Sequence, residues 1–132
     1  MKIIKKVLTN TFFYVIITLS NEKKIIIMYS YKLYQMPMSN ISKFRSFDKT
    51  KENIKLSDYV LVYCGKLEYN EEDFLDEIFY ILNMKRPKDF YGHSMSVSDV
   101  LCVYDEETNY EYGYYYCDDL GWVKLSKERF LK

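Results

Sequence analysis

The chain has 132 residues, a length that fits one domain with a single hydrophobic core, without help from a metal or a disulfide. Its three cysteines lack C-x-x-C spacing and cannot all pair within the chain, and it has one histidine, so we expect free thiols in a reducing cytoplasm, no metal and no cofactor. The 19 basic and 19 acidic residues cancel, so only the distribution of charge along the chain is informative.

Residues 1–27 carry lysines followed by an apolar run, as a signal peptide does. The run from Val7 to Leu19 is interrupted by polar residues, lacks an A-x-A-like cleavage site and is shorter than the ~20 residues that a membrane span requires. We therefore expect no membrane partner. Three interpretations of this leader stay open: an upstream extension before a start at Met28, an added strand, or a weak signal peptide. The domain itself is expected over residues 28–132.

The alternation in Tyr29–Met36 predicts a strand that Pro37 ends or confines to a sheet edge. Residues 40–57 lack strong periodicity, although a helical turn or short strand there would bring Phe44 and Phe47 to the core. The next segment, Asp58–Gly65, is apolar on both faces. That pattern predicts a central strand covered on both sides and closed by Gly65.

The sequence NEEDFLDEIFYILN, residues 70–83, predicts the principal helix. Asn70 is suited to the N-cap, Asn83 to the end, and the acids of the first turn suit the helix dipole. The buried stripe of this helix is predicted to consist of Phe74, Leu75, Ile78, Phe79 and Leu82. Its exposed acidic face is predicted to consist of Glu72, Asp73, Asp76 and Glu77.

The stretch SVSDVLCVYD predicts a second central strand, with Val100, Cys102 and Tyr104 on one face and the alternate residues on the other. An antiparallel strand follows, with four tyrosines predicted to point the same way: Tyr110, Tyr112, Tyr114 and Tyr116. A second turn, the short strand WVKL and a terminal helical turn capped by Ser126 complete the chain. These elements predict an α+β fold: a small single domain with a largely antiparallel four- or five-stranded sheet and one principal amphipathic helix.

Charge is unevenly distributed: residues 58–119 hold fifteen acids and four bases, whereas the flanking segments are basic. Such a stretch repels phosphate backbones and attracts basic protein surfaces, so we expect protein binding and no direct contact with nucleic acid. The predicted partner-binding residues are Glu71, Glu72, Asp73, Asp76, Glu77, Asp105, Glu106, Glu107, Glu111, Asp118 and Asp119. An ordinary solvated acidic face is the alternative.

Five residues before the second central strand are of the types found in hydrolase triads: His93, Ser94, Ser96, Ser98 and Asp99. A triad needs members that converge from separate elements, whereas these are sequence neighbours and no G-x-S-x-G elbow is present. We therefore expect no catalytic residues, with Ser and Asp side chains bonding nearby backbone amides and His93 anchoring the loop. A hydrolase-type enzyme centred on His93, paired with one of the three cysteines, is the competing hypothesis.

The segment RPKDFYGHSMSVSDVLCVY, followed by a short turn and YYYCDDLGWVKL, resembles the YodL-like domain of Gram-positive bacteria and their mobile elements. The similarity covers about Met28 to Lys132, with minor departures such as Asp118-Asp119-Leu120 before the Gly-Trp turn. It implies a small cytoplasmic domain, often carried on conjugative or phage-like elements, with no established catalytic activity. The resemblance marks as signature positions Asp89, Phe90, Gly92, His93, Ser94, Ser98 and Asp99.

The acidic stretch and this resemblance together predict a non-enzymatic inhibitor of a host defence nuclease. It would be of the anti-CRISPR or antirestriction type and would occupy the basic surface on which the nuclease holds nucleic acid. An accessory protein of element transfer is the alternative within the same class of binding proteins.

Overall fold

A computed structural model of the chain describes residues 2–8, 11–17, 23–69 and 73–132, and side chains over 28–68 and 73–132. The strands are β1 Lys2–Leu8, β2 Thr11–Ile17, β3 Lys23–Gln35, β4 Val60–Tyr69, β5 Val100–Tyr104, β6 Glu111–Asp118 and β7 Gly121–Lys124. The helices are α1 Phe74–Met84 and α2 Lys127–Phe130, and short 3-10 helices span Phe47–Thr50 and Leu56–Asp58.

Five strands carry the domain in the order β4-β3-β5-β6-β7, and each neighbouring pair is antiparallel. β1 pairs with β2, which in turn pairs with residues 23–26 of β3. The α+β class, the antiparallel sheet and the single principal helix that the sequence predicts are confirmed.

One face of the sheet packs against α1. Tyr31 and Leu33 of β3 contribute to this core together with Leu101 of β5, because alternate residues of a strand share a face. From α1, Ile78 and Leu82 are fully buried, while the other members of the predicted stripe pack around them. The helical periodicity in the sequence therefore identifies the buried face of α1 correctly.

The other face is covered by the chain between β3 and β4 and by α2. Val100 and Tyr116 of the sheet are fully buried there, and Tyr59 and Phe130 from the covering segments pack against them. Ser126 caps α2 as predicted, since its side chain accepts a hydrogen bond from the backbone of Arg129. Both central faces of β5 are thus enclosed, which confirms its predicted place inside the sheet.

The prediction that Asp58–Gly65 forms a central strand is wrong. β4 lies at the edge of the five-stranded sheet and pairs only with β3 among the described residues, so Val60, Leu61 and Cys64 are exposed. Gly65 does not close the strand, which continues to Tyr69. An edge strand can also be apolar on both faces when its outer positions contact a neighbour. Periodicity alone therefore cannot distinguish an edge strand from a central one.

The prediction that four tyrosines point the same way is also wrong. The β5–β6 pairing shifts register between Val103 and Tyr104, so that one residue of β6 is added to the ladder. Tyr114 and Tyr116 pack in the core on the α2 side, whereas Tyr112 packs against the core on the α1 side. The bulge therefore places Tyr112 on the opposite face of the sheet from Tyr114 and Tyr116.

Smaller differences occur at the ends of elements. α1 extends to Met84, one residue beyond Asn83, and its N-cap position is Asp73. The predicted cap Asn70 lies outside the described residues. Of the two phenylalanines predicted to reach the core, Phe47 packs against Tyr116, whereas Phe44 is exposed.

Candidate functional site

Six of the eleven acids predicted to bind a partner fall into two groups at opposite ends of β6. Asp105, Glu106, Glu107 and Glu111 lie at the β5–β6 turn, whereas Asp118 and Asp119 lie at the β6–β7 turn. A strand of this length separates the groups by about 23 Å at ~3.3 Å per residue. Asp76 and Glu77 lie on α1, Asp73 is its N-cap, and Glu71 and Glu72 lie outside the described residues.

The first group is engaged within the protein. Asp105 is buried, and its Oδ1 accepts the backbone N–H groups of Glu107 at 2.9 Å and Thr108 at 3.2 Å, which fixes the turn. Glu106 forms an ion pair with Lys66, and Glu111 forms one with Lys127. Asp105 was predicted to lie on the binding surface, and this is wrong because a short polar turn needs an internal acceptor for its amides.

The two acids of the second group and one acid of α1 converge on one cleft. Asp76 of α1 and Asp118 and Asp119 of the β6–β7 turn line a cavity of about 270 Å³ with Phe79 and Trp122. We call these five residues the acidic cleft. The Trp122 indole N–H donates to Asp76 Oδ1 at 2.9 Å, which joins β7 to α1 across the cleft. A helix and a turn that are far apart in sequence thus present their carboxylates to the same space.

Asp118 is held in its charged form. Partial burial opposes ionisation, but its Oδ1 accepts the backbone N–H groups of Phe47 at 3.0 Å and Asp119 at 2.9 Å. These hydrogen bonds stabilise the carboxylate and hold the pKa of Asp118 below its ordinary value. Asp76 and Asp119 are both exposed at the rim. The acidic cleft therefore presents negative charge to solvent at neutral pH.

The signature loop forms a second polar cluster, which we call the signature network: Gln35, Lys43, His93, Ser98 and Asp99. Lys43 is 7% exposed, and its Nζ donates to the carbonyl of Met36 at 2.6 Å and to His93 Nε2 at 2.9 Å. Burial lowers the pKa of the Lys43 ammonium, and the nearby Asp99 opposes this effect. His93 Nδ1 lies 3.0 Å from the carbonyl oxygen of Ser94 and 3.2 Å from Gln35 Nε2.

Asp99 occupies the centre of the signature network and is fully buried. Its Oδ2 accepts from Gln35 Nε2 at 3.0 Å and from the backbone N–H of Ser96 at 3.0 Å. Its Oδ1 has no hydrogen-bond partner among the described residues. Burial raises the pKa of Asp99 to about 6, against the opposing hydrogen bonds and the charges of Lys43 and His93.

Ser98 links the signature loop to the segment after β3. It is fully buried with φ 85°, a backbone conformation that is uncommon for residues with a Cβ. Its Oγ accepts the N–H of Phe44 at 3.0 Å, and Tyr59 donates to its carbonyl at 2.7 Å. The predicted role of Ser and Asp side chains as acceptors for nearby amides is thus present in the structure.

The other signature positions support the same loop. Asp89 accepts from the Tyr63 hydroxyl at 3.1 Å, and Phe90 is buried in the core beside α1. A Cβ on Gly92 would lie 2.6 Å from the Phe90 ring and 2.9 Å from Gln35 Oε1, so a side chain has no room there. Ser94 is exposed. The side chains of Asp89, Phe90, His93, Ser98 and Asp99 thus hold the loop, whereas Ser94 takes part only through its carbonyl.

The arrangement does not assemble a catalytic triad. The His93 ring contacts Lys43, Gln35 and the Ser94 carbonyl, and no serine hydroxyl or thiol is hydrogen-bonded to it among the described residues. Cys102 and Cys117 are buried, and burial raises the pKa of the Cys102 thiol to about 11 and that of Cys117 to about 12. The third, Cys64, is exposed on the edge strand, contrary to the expected core position.

Sequence reasoning missed Gln35 and Lys43. Gln35 ends an alternating strand and reads as a polar edge residue, and Lys43 lies in a segment without periodicity. Neither carries a local signal, because each owes its place to hydrogen bonds across about sixty positions of sequence, such as Gln35 with Asp99. Within the described residues, no helix is long and apolar enough to cross a membrane, and no cluster of His, Cys, Asp and Glu is arranged for a metal ion.

Comparison with known proteins adds the family. The family model of the YodL-like domain matches residues 27–127, more than half of the chain. The chain belongs to the YodL-like domain family. The matched region of this YodL-like domain runs from within β3 to the first residue of α2 and contains both the signature network and the acidic cleft. No curated protein and no solved structure matches the chain.

Proposed function

We propose that this YodL-like domain is a non-enzymatic protein-binding module that holds a basic surface of its partner in the acidic cleft. The carrying observation is the convergence of Asp76, Asp118 and Asp119 beside Trp122. Carboxylates are the natural partners of lysine and arginine side chains, and an indole face adds attraction for a cation. A basic segment of a partner would thus find opposite charge and an aromatic contact in one place.

The partner we propose is a nuclease of a host defence system, whose nucleic-acid-binding surface is basic. An anti-CRISPR or antirestriction inhibitor would place its carboxylates at the positions on the nuclease that bind nucleic-acid phosphates. The acidic stretch of residues 58–119 and the association of the family with mobile elements support this class. We propose a cytoplasmic location for the same reason, and the three free cysteines are consistent with a reducing compartment.

The test removes charge from the acidic cleft without changing its shape. The double variant Asp76→Asn/Asp119→Asn keeps a side-chain acceptor for Trp122, and Glu128→Lys changes the net charge by the same amount on α2. Each protein is used to capture partners from a host that carries a defence nuclease, and binding of the captured nuclease is measured at rising salt. We expect the double variant to bind at least about tenfold more weakly and the control to bind as wild type does.

Capture of a nuclease whose DNA cleavage the wild-type domain blocks would support the proposal. If the double variant inhibited cleavage as strongly as wild type, the acidic cleft would not be the binding surface. Capture of a DNA-transfer protein and no nuclease would favour the accessory role in element transfer. For the competing enzyme hypothesis, turnover of a general hydrolase substrate that disappears in His93→Ala would be the decisive result.

A further inference from the structure

The β4 edge of the five-stranded sheet, which is opposite the β7 edge, is open beside the signature loop. β4 pairs with β3 on one side, and no described residue pairs with its other side. Unpaired strand edges are templates for a further strand, and charged residues on an edge oppose such pairing. Lys66 and Glu68 provide that protection in the second half of β4, whereas residues 60–65 carry no charge. The first half of β4, where the pairing with β3 shifts register at Val62, is therefore the uncharged part of the edge.

A cavity of about 370 Å³ adjoins this half of β4, and we call it the β4 cavity. Met38, Val60, Val62 and Tyr91 form apolar walls, and Gln35 and His93 of the signature network supply polar groups. Three of the wall residues are strongly exposed: Met38 at 74%, Val60 at 54% and Tyr91 at 90%. The volume lies at the low end for ligand pockets, ~300–1,000 Å³, which suits one or two side chains.

The rim of the β4 cavity carries positive charge. Arg86 is exposed and donates to the carbonyl of Gly92, and Lys43 donates to Nε2 of His93; Gly92 and His93 both line the cavity. The nearby acid Asp89 already accepts from Tyr63 on β4. The charge beside this edge is therefore positive, opposite in sign to that of the acidic cleft.

We infer that this edge binds an extended acidic segment of a partner protein, which adds to β4 as a strand and inserts one large apolar side chain into the β4 cavity. The open main-chain edge selects an extended backbone, the cavity selects the apolar side chain, and the basic rim selects acidic neighbours. This surface lies beside β4, whereas the acidic cleft lies beside β7, so the inference does not depend on the proposed function.

The experiment is a selection of random twelve-residue peptides on the full chain, repeated on Tyr91→Ala and on Leu120→Ala. Leu120 is 92% exposed on the β6–β7 turn and serves as the matched control for loss of an exposed apolar side chain. We expect enriched peptides to carry one large apolar residue between Asp or Glu residues and to lack proline. Tyr91→Ala should weaken their binding by at least about tenfold, and Leu120→Ala should not.

Two further measurements use the best enriched peptide. Hydrogen exchange of the backbone amides should slow in residues 60–65 of β4 when the peptide is bound. The variant Arg86→Gln keeps a donor for the Gly92 carbonyl and should bind more weakly than wild type, because it removes the exposed charge of the rim. The inference is overturned if no peptide is enriched on wild type, if Tyr91→Ala selects the same peptides equally well, or if amide protection appears away from β4.

Discussion

Asp99 is the most deeply buried of the described charged residues. It is fully buried, only one of its carboxylate oxygens is hydrogen-bonded among the described residues, and its pKa is raised to about 6. A buried carboxylate with an unpaired oxygen costs free energy, which the cluster of Gln35, Lys43 and His93 only partly offsets. The signature network therefore holds the loop in place, and the burial of the Asp99 carboxylate costs electrostatic free energy.

This cost predicts a pH dependence of stability. The pKa of Asp99 is about 6 in the folded state against 3.8 in the unfolded state, so the folded state binds a proton more readily between these values. The contribution of Asp99 to stability is therefore greatest below pH 4 and is lost as the pH rises to about 6. The loss amounts to about 3 kcal/mol as an order of magnitude.

The variant Asp99→Asn tests this assignment. An amide oxygen in the place of Oδ2 keeps the bonds from Gln35 and Ser96, and the amide nitrogen replaces the unpaired oxygen. We expect the difference in unfolding free energy between variant and wild type to shift in favour of the variant as the pH rises from 4 to 6. Urea unfolding across pH 4 to 8 measures this difference, with Glu128→Gln as an exposed control. A difference that stays constant with pH would contradict the raised pKa.

At the scale of elements, β4 depends on a glycine. Gly65 lies opposite Tyr31 in the β3–β4 ladder, and a Cβ at this position would lie 2.5 Å from the Tyr31 ring. The ring therefore occupies the space above the glycine and is 3% exposed as a result. Glycine in a strand commonly marks such a close approach.

We predict that Gly65→Ala destabilises the domain by about 1–3 kcal/mol, because the added methyl group displaces the Tyr31 ring from a packed core. Chemical denaturation gives the free energy, and Cys64→Ala, an exposed neighbour on the same strand, should change it by less than about 0.5 kcal/mol. In the background of Tyr31→Leu the same glycine substitution should cost less, since the ring is gone. Equal costs in both backgrounds would show that the contact is not the cause.

At the scale of the whole molecule, the two core clusters and the signature network span residues 29–130 among the side chains that the structure describes. The signature network joins the segment after β3 to the segment before β5 by hydrogen bonds. Asn83 joins α1 to the same segment before β5, because its side chain exchanges hydrogen bonds with the backbone of Met95 at 2.7 and 2.9 Å.

We therefore expect a chain that begins at Met28 to fold cooperatively. Its unfolding in urea should be a single transition, with a midpoint close to that of the full chain. Coincidence of far-ultraviolet circular dichroism and tryptophan fluorescence, which reports Trp122, checks the cooperativity. Loss of the transition, or separate transitions for the two probes, would mean that residues 1–27 contribute to the core.

Much of the fold could be predicted from the sequence, because helical and strand periodicities report which residues share a face. The buried stripe of α1, the two faces of β5 and the cap of α2 follow from spacing and capping chemistry alone. The edge position of β4 and the bulge at Tyr112 could not be predicted, since both depend on which strands become neighbours. The candidate site was predicted in part: its acids and signature residues, but neither Gln35 nor Lys43.

The sequence by itself determined the fold class, the principal helix, the family resemblance and the uneven distribution of charge, because these depend on residue types and short spacings. Only the tertiary structure decided which charges meet. It buried Asp105, brought Asp76 to Asp118 and Asp119, and enclosed Asp99 with Lys43. The physical reason is that electrostatic and hydrogen-bond energies depend on distance and burial in space, and residues far apart in sequence acquire both only when the sheet forms.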